Sequence, residues 1–247
     1  MFHDAIQAYL RTQSHEALHV RNVLFDMDGV LFDSMPYHAV AWHKAMNEFG
    51  LPFTEKEAFL HEGRTGAGTI NIAMQRTHGR DATEEEVQQI YERKCVHFRA
   101  YPEPTTIPGT LKLAQQINHH GLTAQIVTGS GQGSLLDRIE VYYPQLFIAD
   151  LMVTAYDVQY GKPNPEPYLM GMRKAGITTN QGVVIENAPL GVESAKAAGI
   201  FTIAVNTGPL SPEELREAGA DLVFDSMIEL NNSWSDLYTA FNEVALI

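Results

Sequence analysis

The sequence predicts an α/β fold, in which a doubly wound parallel sheet of the Rossmann type carries a small inserted domain of α-helices. Short apolar runs recur along the chain, and from the second run onward they alternate with segments of helical periodicity. This alternation is typical of right-handed βαβ units, which build a parallel sheet with helices on both faces. Between the first two runs the periodicity is helical only, and this predicts the insertion.

The apolar runs predict six buried strands, and the segments between them predict the helices of the core. The strands are expected at 23–25, 124–127, 151–153, 183–185, 202–205 and 222–224. Core helices are expected at 110–119, 132–142, 165–175 and 190–198. Ser211 with Glu214 forms a capping-box pattern, which predicts the start of a late helix.

The insertion is predicted to be a helical cap over residues 34–104. Its helices are expected at 37–49, 68–77 and 83–98. Hinges are predicted at 34–36 and at the proline-rich segment 101–104. The remaining residues, 1–33 and 105–247, are assigned to the core domain, with 1–20 as an N-terminal extension. Ile6, Leu10 and Leu18 in that extension indicate a helix, which either packs on the core or mediates self-association.

Composition excludes several classes of protein. The 247 residues are 45% hydrophobic and 19% charged, which is typical of a globular chain large enough to bury a core. Acidic residues outnumber basic ones by 30 to 17, so a nucleic-acid partner is not expected. No apolar run approaches the roughly 20 residues of a membrane span, so no membrane partner is expected. A single cysteine, Cys95, and an N-terminus without a signal-peptide pattern predict a cytoplasmic protein.

Chemistry is expected at the carboxyl ends of the strands, where parallel α/β sheets bind their ligands. Asp26 and Asp28 follow the first run, and their spacing sends both side chains to the same side. One carboxylate can attack phosphorus, while the other, partly protonated by its like-charged neighbour, can protonate the leaving oxygen. Alone, this pattern also fits a surface turn or a calcium loop, although the apolar residues 30–32 exclude an EF-hand.

Three further strand ends carry phosphate-binding or metal-binding residue types. Thr128, Gly129 and Ser130 follow the second run, and Lys162 lies near the third. Hydroxyls, backbone N–H groups and an ammonium are what a phosphoryl group needs, although a helix cap and a solvated lysine are the alternatives. Glu186 and Asn187 follow the fourth run and, with Asp26, can supply the oxygen ligands that Mg²⁺ prefers, although a helix N-cap is the alternative. Neither a dinucleotide fingerprint nor a P-loop is present.

Taken together, the motifs resemble those of the haloacid dehalogenase superfamily over residues 21–230. The matching set is Asp26-x-Asp28-Gly29-Val30, Thr128, Lys162, and Glu186-Asn187 before Leu190-Gly191-Val192. The resemblance implies that Asp26 becomes phosphorylated, that Asp28 is the general acid and base, and that Thr128 and Lys162 hold the phosphoryl group. It also implies Mg²⁺ as cofactor, with Asp26, Asp28, Glu186 and Asn187 as candidate ligands. An acid at position 28 disfavours dehalogenase-like and phosphonatase-like chemistry.

Within the superfamily the chain is most similar to the β-phosphoglucomutase subgroup, whose cap inserts directly after the first motif. This likeness implies that His38, Arg64 and Lys94 face the substrate. The alternatives are core packing for His38, a surface charge for Arg64 and a solvated side chain for Lys94.

Two departures from that subgroup affect the expected reaction. Asn187 stands where the family usually has aspartate, and we hypothesise that the cap carboxylate Glu62 compensates for the missing charge in the metal shell. Gly131 stands where the mutase has a lysine, and this loss of a cation favours a phosphohydrolase.

The expected function is therefore Mg²⁺-dependent hydrolysis of a small phosphate compound through an aspartyl-phosphate intermediate. A sugar phosphate and inorganic pyrophosphate both fit as the substrate. The alternatives are a β-phosphoglucomutase, which converts β-glucose 1-phosphate to glucose 6-phosphate, and a non-catalytic phosphosugar sensor. A monomer or a weak homodimer is expected.

Overall fold

The computed structural model describes residues 2–131 and 137–246, and its centre is a parallel sheet of five strands. The strands are β1 (Asn22–Phe25), β2 (Thr123–Ile126), β3 (Gly182–Glu186), β4 (Phe201–Val205) and β5 (Leu222–Phe224). Their order across the sheet is β2-β1-β3-β4-β5, and every neighbouring pair is parallel. Phe25 is in register with Ile126 and with Ile185, so the carboxyl ends of the three adjacent strands are level. The fold class predicted from the sequence is confirmed.

Helices cover both faces of the sheet. The helices of the core are α1 (Phe2–Gln13), α6 (Thr110–His119), α7 (Ile139–Tyr142), α8 (Glu166–Ala175), α9 (Pro189–Ala197), α10 (Pro212–Glu217) and α11 (Met227–Glu243). Alternate residues of β1 point to opposite faces, as strand geometry requires. Val23 and Phe25 pack with α1, α6 and α11, whereas Leu24 packs with α8 and α9.

Between β1 and β2, four helices precede α6, and they fall in the predicted insertion. They are α2 (Met35–Glu48), α3 (Glu55–Leu60), α4 (Gly66–His78) and α5 (Glu84–Arg99), and we call them the inserted helices. They share a hydrophobic cluster of their own, centred on residues such as Met46, Phe53 and Ile70. The division of the chain into a core domain and a cap at 34–104 stays a prediction.

The strand predicted at 151–153 is wrong. The segment contains a 3₁₀-helix at Ala149–Leu151, and only an isolated bridge joins Val153 to Val127. A short apolar run is compatible with either structure, and Met152 is only half-buried. Of the helix predicted at 132–142, residues 132–136 lie outside the described residues, and the remainder includes α7.

The N-terminal extension packs on the core, which confirms one of its two interpretations. Ile6 and Leu10 of α1 are fully buried, and the Tyr9 hydroxyl donates a hydrogen bond to the carbonyl of Gly199 at 2.9 Å. Beyond α1, Ala17 pairs with Ala245 in an isolated antiparallel bridge. Across residues 2–131 and 137–246, no helix combines the length and apolar character needed to cross a bilayer.

Candidate active site

A small cavity of about 50 Å³ lies between the carboxyl ends of the strands and the inserted helices. Nine of the site residues predicted from the sequence line it: Asp26, Asp28, His38, Glu62, Arg64, Lys94, Thr128, Gly129 and Ser130. The other three, Lys162, Glu186 and Asn187, are buried within contact of this set and do not line the cavity itself. The structure therefore brings all twelve predicted residues into one region.

Asp26 follows β1 directly and is paired with Lys162. The Lys162 ammonium lies 2.5 Å from Oδ1 of Asp26 and 2.6 Å from Oε1 of Glu186, and all three side chains are buried. Burial raises the pKa of Asp26 to about 8, although the neighbouring Lys162 charge acts against this rise. Burial alone would lower the pKa of Lys162, but the two carboxylates raise it above its ordinary value, so this lysine stays charged.

Glu186 serves as the anchor of Lys162 in this arrangement. Its Oε1 also accepts a hydrogen bond from the Tyr168 hydroxyl at 2.7 Å. Its Oε2 accepts from the backbone N–H groups of Asn187 and Ala188, at 3.0 and 3.3 Å. Tyr168 was not predicted from the sequence. The sequence feature that could have identified Tyr168 is its place on the buried face of a helix, because a buried tyrosine hydroxyl requires a hydrogen-bond partner.

The second aspartate is held by groups of α2 and its N-cap. Oδ1 of Asp28 accepts hydrogen bonds from the Ser34 hydroxyl at 2.5 Å and from Nε2 of His38 at 3.1 Å. Burial acts to raise the pKa of Asp28, yet His38 and Ser34 together lower it below the ordinary value. The expectation that the like charge of Asp26 keeps Asp28 partly protonated is therefore wrong, because the hydrogen bonds donated by Ser34 and His38 favour the ionised form of Asp28.

Lys94 of α5 enters the cavity through an aromatic enclosure. Its ammonium lies 5.3 Å from the Trp42 ring, 5.5 Å from the Tyr91 ring and 5.3 Å from the Phe98 ring. The side chain is buried, and burial lowers the pKa of Lys94 to about 8. The burial of His38 itself, together with the Lys94 charge, lowers the pKa of His38. The solvated alternative for Lys94 is thus excluded.

Glu62 and Asn187 meet beside the first motif. Nδ2 of Asn187 donates a hydrogen bond to Oε1 of Glu62 at 2.7 Å, and burial raises the pKa of Glu62 well above its ordinary value. Gly29, with φ of +80°, allows this contact, because a Cβ there would lie 2.1 Å from Nδ2 of Asn187. The amide oxygen of the same side chain, Oδ1 of Asn187, is buried without a hydrogen-bond partner.

A few of the side chains in this region have the oxygen atoms that a hard divalent cation prefers. Within the described part of the chain, no group of three or more His, Cys, Asp or Glu residues is arranged as a metal site. An unpartnered amide oxygen next to a buried carboxylate is nevertheless what an oxygen-preferring cation requires. Asn187, Glu62 and Asp26 can supply oxygens of these two kinds to a cation. Both carboxylate oxygens of Glu186 already accept hydrogen bonds.

The loop between α3 and α4 sits directly on the loops of the core. A Cβ at Gly129 would lie 2.3 Å from the carbonyl oxygen of Gly63, and a Cβ at Gly161 would lie 2.6 Å from the backbone nitrogen of Thr65. This close seating leaves Arg64 half-buried, and its Nε is a buried donor without a partner. Burial lowers the pKa of Arg64, so a bound anion would be favoured here.

Comparison with known proteins identifies relatives over most of the chain. A family model described as haloacid dehalogenase-like hydrolase matches residues 23–205. Hexitol phosphatase A of Escherichia coli is 32% identical, and the match covers 85% of this chain and 93% of that protein. A phosphorylated carbohydrates phosphatase of Thermotoga maritima is 30% identical, covering 80% of this chain and 91% of that protein. A solved structure titled "Putative beta-phosphoglucomutase from Bacteroides vulgatus" is 53% identical, with a TM-score of 0.95 and 98% of each chain covered.

Proposed function

The chain belongs to the haloacid dehalogenase-like hydrolases, and on that premise we propose that it is a Mg²⁺-dependent phosphohydrolase acting through an aspartyl-phosphate at Asp26. The observation that carries this proposal is the pairing of a buried Asp26 with the Lys162 ammonium at 2.5 Å, at the base of a cavity. A cation in contact with a buried carboxylate favours its ionised form, which burial opposes, and draws the phosphoryl oxygens toward it. Membership of a family of phosphatases and phosphomutases supports the reaction class.

The first chemical step transfers the phosphoryl group to the protein. A carboxylate oxygen of Asp26 forms a bond to phosphorus while the bond between phosphorus and the leaving oxygen breaks. Thr128, Ser130 and Lys162 hold the equatorial oxygens during the transfer. The leaving oxygen takes a proton from the protonated form of Asp28, which is the minor form in the resting site because His38, at 3.1 Å, and Ser34 lower the pKa of Asp28.

The second step releases phosphate. Asp28, now unprotonated, accepts a proton from a water molecule as that water forms its bond to phosphorus. The bond from phosphorus to the Asp26 carboxylate breaks, and both aspartates return to their starting states.

The proposed Mg²⁺ ligands among the side chains are Asp26, Asn187 and Glu62. Bound there, the cation would neutralise charge that develops on the phosphoryl oxygens. Glu186 is better assigned as the anchor of Lys162, because both of its oxygens are engaged by other groups. The carboxylate of Asp28 is assigned to proton transfer because Ser34 and His38 hold it.

The proposed substrate is a compact phosphate, with inorganic pyrophosphate first. A cavity of about 50 Å³ has space for only a few water-sized groups, at ~10–15 Å³ each. Arg64 and Lys94 line it and supply charge for a second phosphate. A hexose phosphate requires the inserted helices to move outward, and the names of the two bacterial phosphatases keep phosphorylated sugars as the second substrate class.

The test is phosphate release by the purified protein with Mg²⁺, comparing pyrophosphate with a panel of sugar monophosphates. We expect release from at least one compound, and a loss of at least about 10³-fold in Asp26→Asn. Asp33→Asn is the matched control, since Asp33 is exposed beside the same motif. Equal rates in wild type and Asp26→Asn would refute the proposal. The absence of release from every compound would instead favour the phosphosugar sensor.

A β-phosphoglucomutase is the second candidate, favoured by the likeness to the Bacteroides vulgatus structure. It would return the phosphoryl group from Asp26 to a sugar hydroxyl. Accumulation of glucose 6-phosphate from β-glucose 1-phosphate, with the 1,6-bisphosphate as primer and without free phosphate, would establish it. The cytoplasmic location remains a proposal that rests on the single cysteine and the character of the N-terminal sequence.

A further inference from the structure

Gly131 joins two tyrosines that come from different parts of the molecule. Its carbonyl oxygen accepts a hydrogen bond from the Tyr156 hydroxyl at 3.1 Å. Its backbone also hydrogen-bonds the Tyr91 hydroxyl, which lowers the pKa of that group against the raising effect of burial. Tyr91 belongs to α5 among the inserted helices, whereas Tyr156 lies in a core loop. We call these three residues the tyrosine clasp.

Glycine at position 131 leaves room for the Tyr156 ring beside the loop. A Cβ at this position would lie 3.0 Å from both Cζ and the hydroxyl oxygen of Tyr156. Such a distance is tighter than ordinary contact, so a side chain at 131 would require the Tyr156 ring to shift by a few tenths of an ångström.

Tyr91 is held in place from its other sides. Its ring lies against α4, where a Cβ at Gly66 would be 2.6 Å from the ring carbons. The Trp42 ring packs against the Tyr91 ring at a centroid distance of 6.0 Å, and the Lys94 ammonium lies over the Tyr91 ring. Tyr91 also lines the cavity, so one half of the clasp is part of the wall that faces the phosphoryl site.

The two halves of the clasp differ in exposure. Tyr91 is half-buried, whereas Tyr156 is 79% exposed. The clasp thus links the inserted helices to the core at the rim of the cavity, directly after the phosphate-binding residues. Ser130, the residue before Gly131, and Tyr91 both line the cavity, so a substrate that extends past this part of the rim would meet the clasp.

We propose that the tyrosine clasp is a specificity determinant, which confines the site to compact phosphates and disfavours substrates with a sugar or a second, distant phosphate. This inference rests on the proposed phosphohydrolase function. The physical basis is that a larger substrate loses the Tyr156 hydrogen bond and the seating of α5 on the loop. A compact substrate reacts while both contacts are kept.

The experiment compares kcat/KM for pyrophosphate with kcat/KM for glucose 6-phosphate in wild type, Tyr156→Phe and Tyr156→Ala. Because a neutral hydrogen bond is modest, we expect Tyr156→Phe to shift the ratio toward the hexose phosphate by about 3-fold, and Tyr156→Ala by about 10-fold. Tyr160→Ala is the matched control, since Tyr160 is also exposed, at 56%. An unchanged ratio in Tyr156→Ala, with circular dichroism of the wild-type form, overturns the inference.

Ligand binding separates this inference from the reaction itself. Calorimetry on Asp26→Asn, with and without Tyr156→Ala, measures the dissociation constants of pyrophosphate and glucose 6-phosphate in Mg²⁺ without turnover. A shift in their ratio supports the clasp even if no compound is hydrolysed, in which case the proposed function alone fails. Identical ratios, or no binding of either ligand in any variant, overturn the clasp whatever the activity.

Discussion

The Lys162 ammonium lies between the carboxylates of Asp26 and Glu186, at 2.5 and 2.6 Å. Both carboxylates are buried, and Lys162 is the cation in contact with each of them. Removing Lys162 would leave two buried carboxylates without this counter-charge, which is costly. Glu186 therefore positions the cation that serves the proposed nucleophile, and the groups that hold Glu186 act on the reaction through it.

Tyr168→Phe removes one hydroxyl and tests whether Tyr168 acts on the reaction through Glu186 and Lys162. We expect kcat to fall about 10-fold with little change in KM, because Glu186 loses the hydrogen bond that fixes Oε1. The free energy of unfolding should fall by about 1–2 kcal/mol in urea titrations. Tyr143→Phe is the control, since Tyr143 donates a buried hydrogen bond to the carbonyl of Leu31 in the core. Tyr143→Phe should lose similar stability and keep its kcat. A fall in kcat of equal size in Tyr143→Phe would contradict a role of Tyr168 through Glu186.

Lys94→Met should stabilise the protein at neutral pH while weakening substrate binding. Burial lowers the folded-state pKa of Lys94 to about 8 from 10.5, so its charged form is disfavoured in the fold. The wild type should therefore gain stability relative to Lys94→Met as pH rises from 8 to 10.5, by up to about 3 kcal/mol. Urea titrations across this pH range measure the difference, and the KM for pyrophosphate should rise in the variant.

The control for Lys94→Met is Lys44→Met, because Lys44 lies over the Tyr101 ring at 5.4 Å but is exposed. The difference in stability between Lys44→Met and the wild type should stay constant between pH 8 and 10.5. The same slope of stability against pH in wild type and Lys94→Met would mean that Lys94 does not titrate in this range.

Asn187→Asp should make the protein depend more strongly on a divalent cation. The hydrogen bond from Nδ2 to Glu62 would be replaced by two facing carboxylates, which repel one another. In EDTA we expect a loss of about 2 kcal/mol of unfolding free energy, and in Mg²⁺ a recovery with tighter cation binding than in wild type. Asn71→Asp serves as control, since its Oδ1 accepts from Ala82 and an aspartate can do the same. An identical Mg²⁺ affinity in wild type and Asn187→Asp would refute a metal site at this position.

Leu10→Ala should destabilise the protein without altering the reaction. Leu10 is fully buried in the main core cluster, and truncation of such a leucine costs about 3 kcal/mol. Leu169→Ala, on an exposed leucine, should cost less than about 1 kcal/mol. Urea titration measures both, and a lower kcat in folded Leu10→Ala would indicate that α1 communicates with the site.

The position of the candidate site could be predicted from sequence because parallel strands end at one edge. The register of Phe25 with Ile126 and Ile185 is what brings the residues after β1, β2 and β3 together. The choice of partners could not be predicted, because it depends on packing in three dimensions. Sequence alone assigned Glu186 to the metal, whereas its distances place it on Lys162 and Tyr168.

Errors in the predicted elements have a similar origin. The apolar residues 151–153 satisfy a strand pattern, but the structure forms a 3₁₀-helix at Ala149–Leu151 and leaves only a bridge at Val153. Local hydrophobicity cannot distinguish these outcomes, since tertiary contacts decide which backbone groups are paired. The hydrogen bonds from Ser34 and His38 to Asp28 could not be predicted either, because both side chains reach Asp28 only once α2 has formed.

The pairing of Ala17 with Ala245 also constrains the order of events during synthesis. The contact spans almost the whole chain, and the Leu246 N–H donates to the carbonyl of Glu16 at 2.7 Å. The N-terminal segment therefore leaves the ribosome long before its partner exists. Contacts of such large sequence separation form late and slow the folding reaction. Until the segment near residue 245 has been made, α1 lacks the part of its packing that α11 supplies, and incompletely covered apolar surface of this kind favours aggregation.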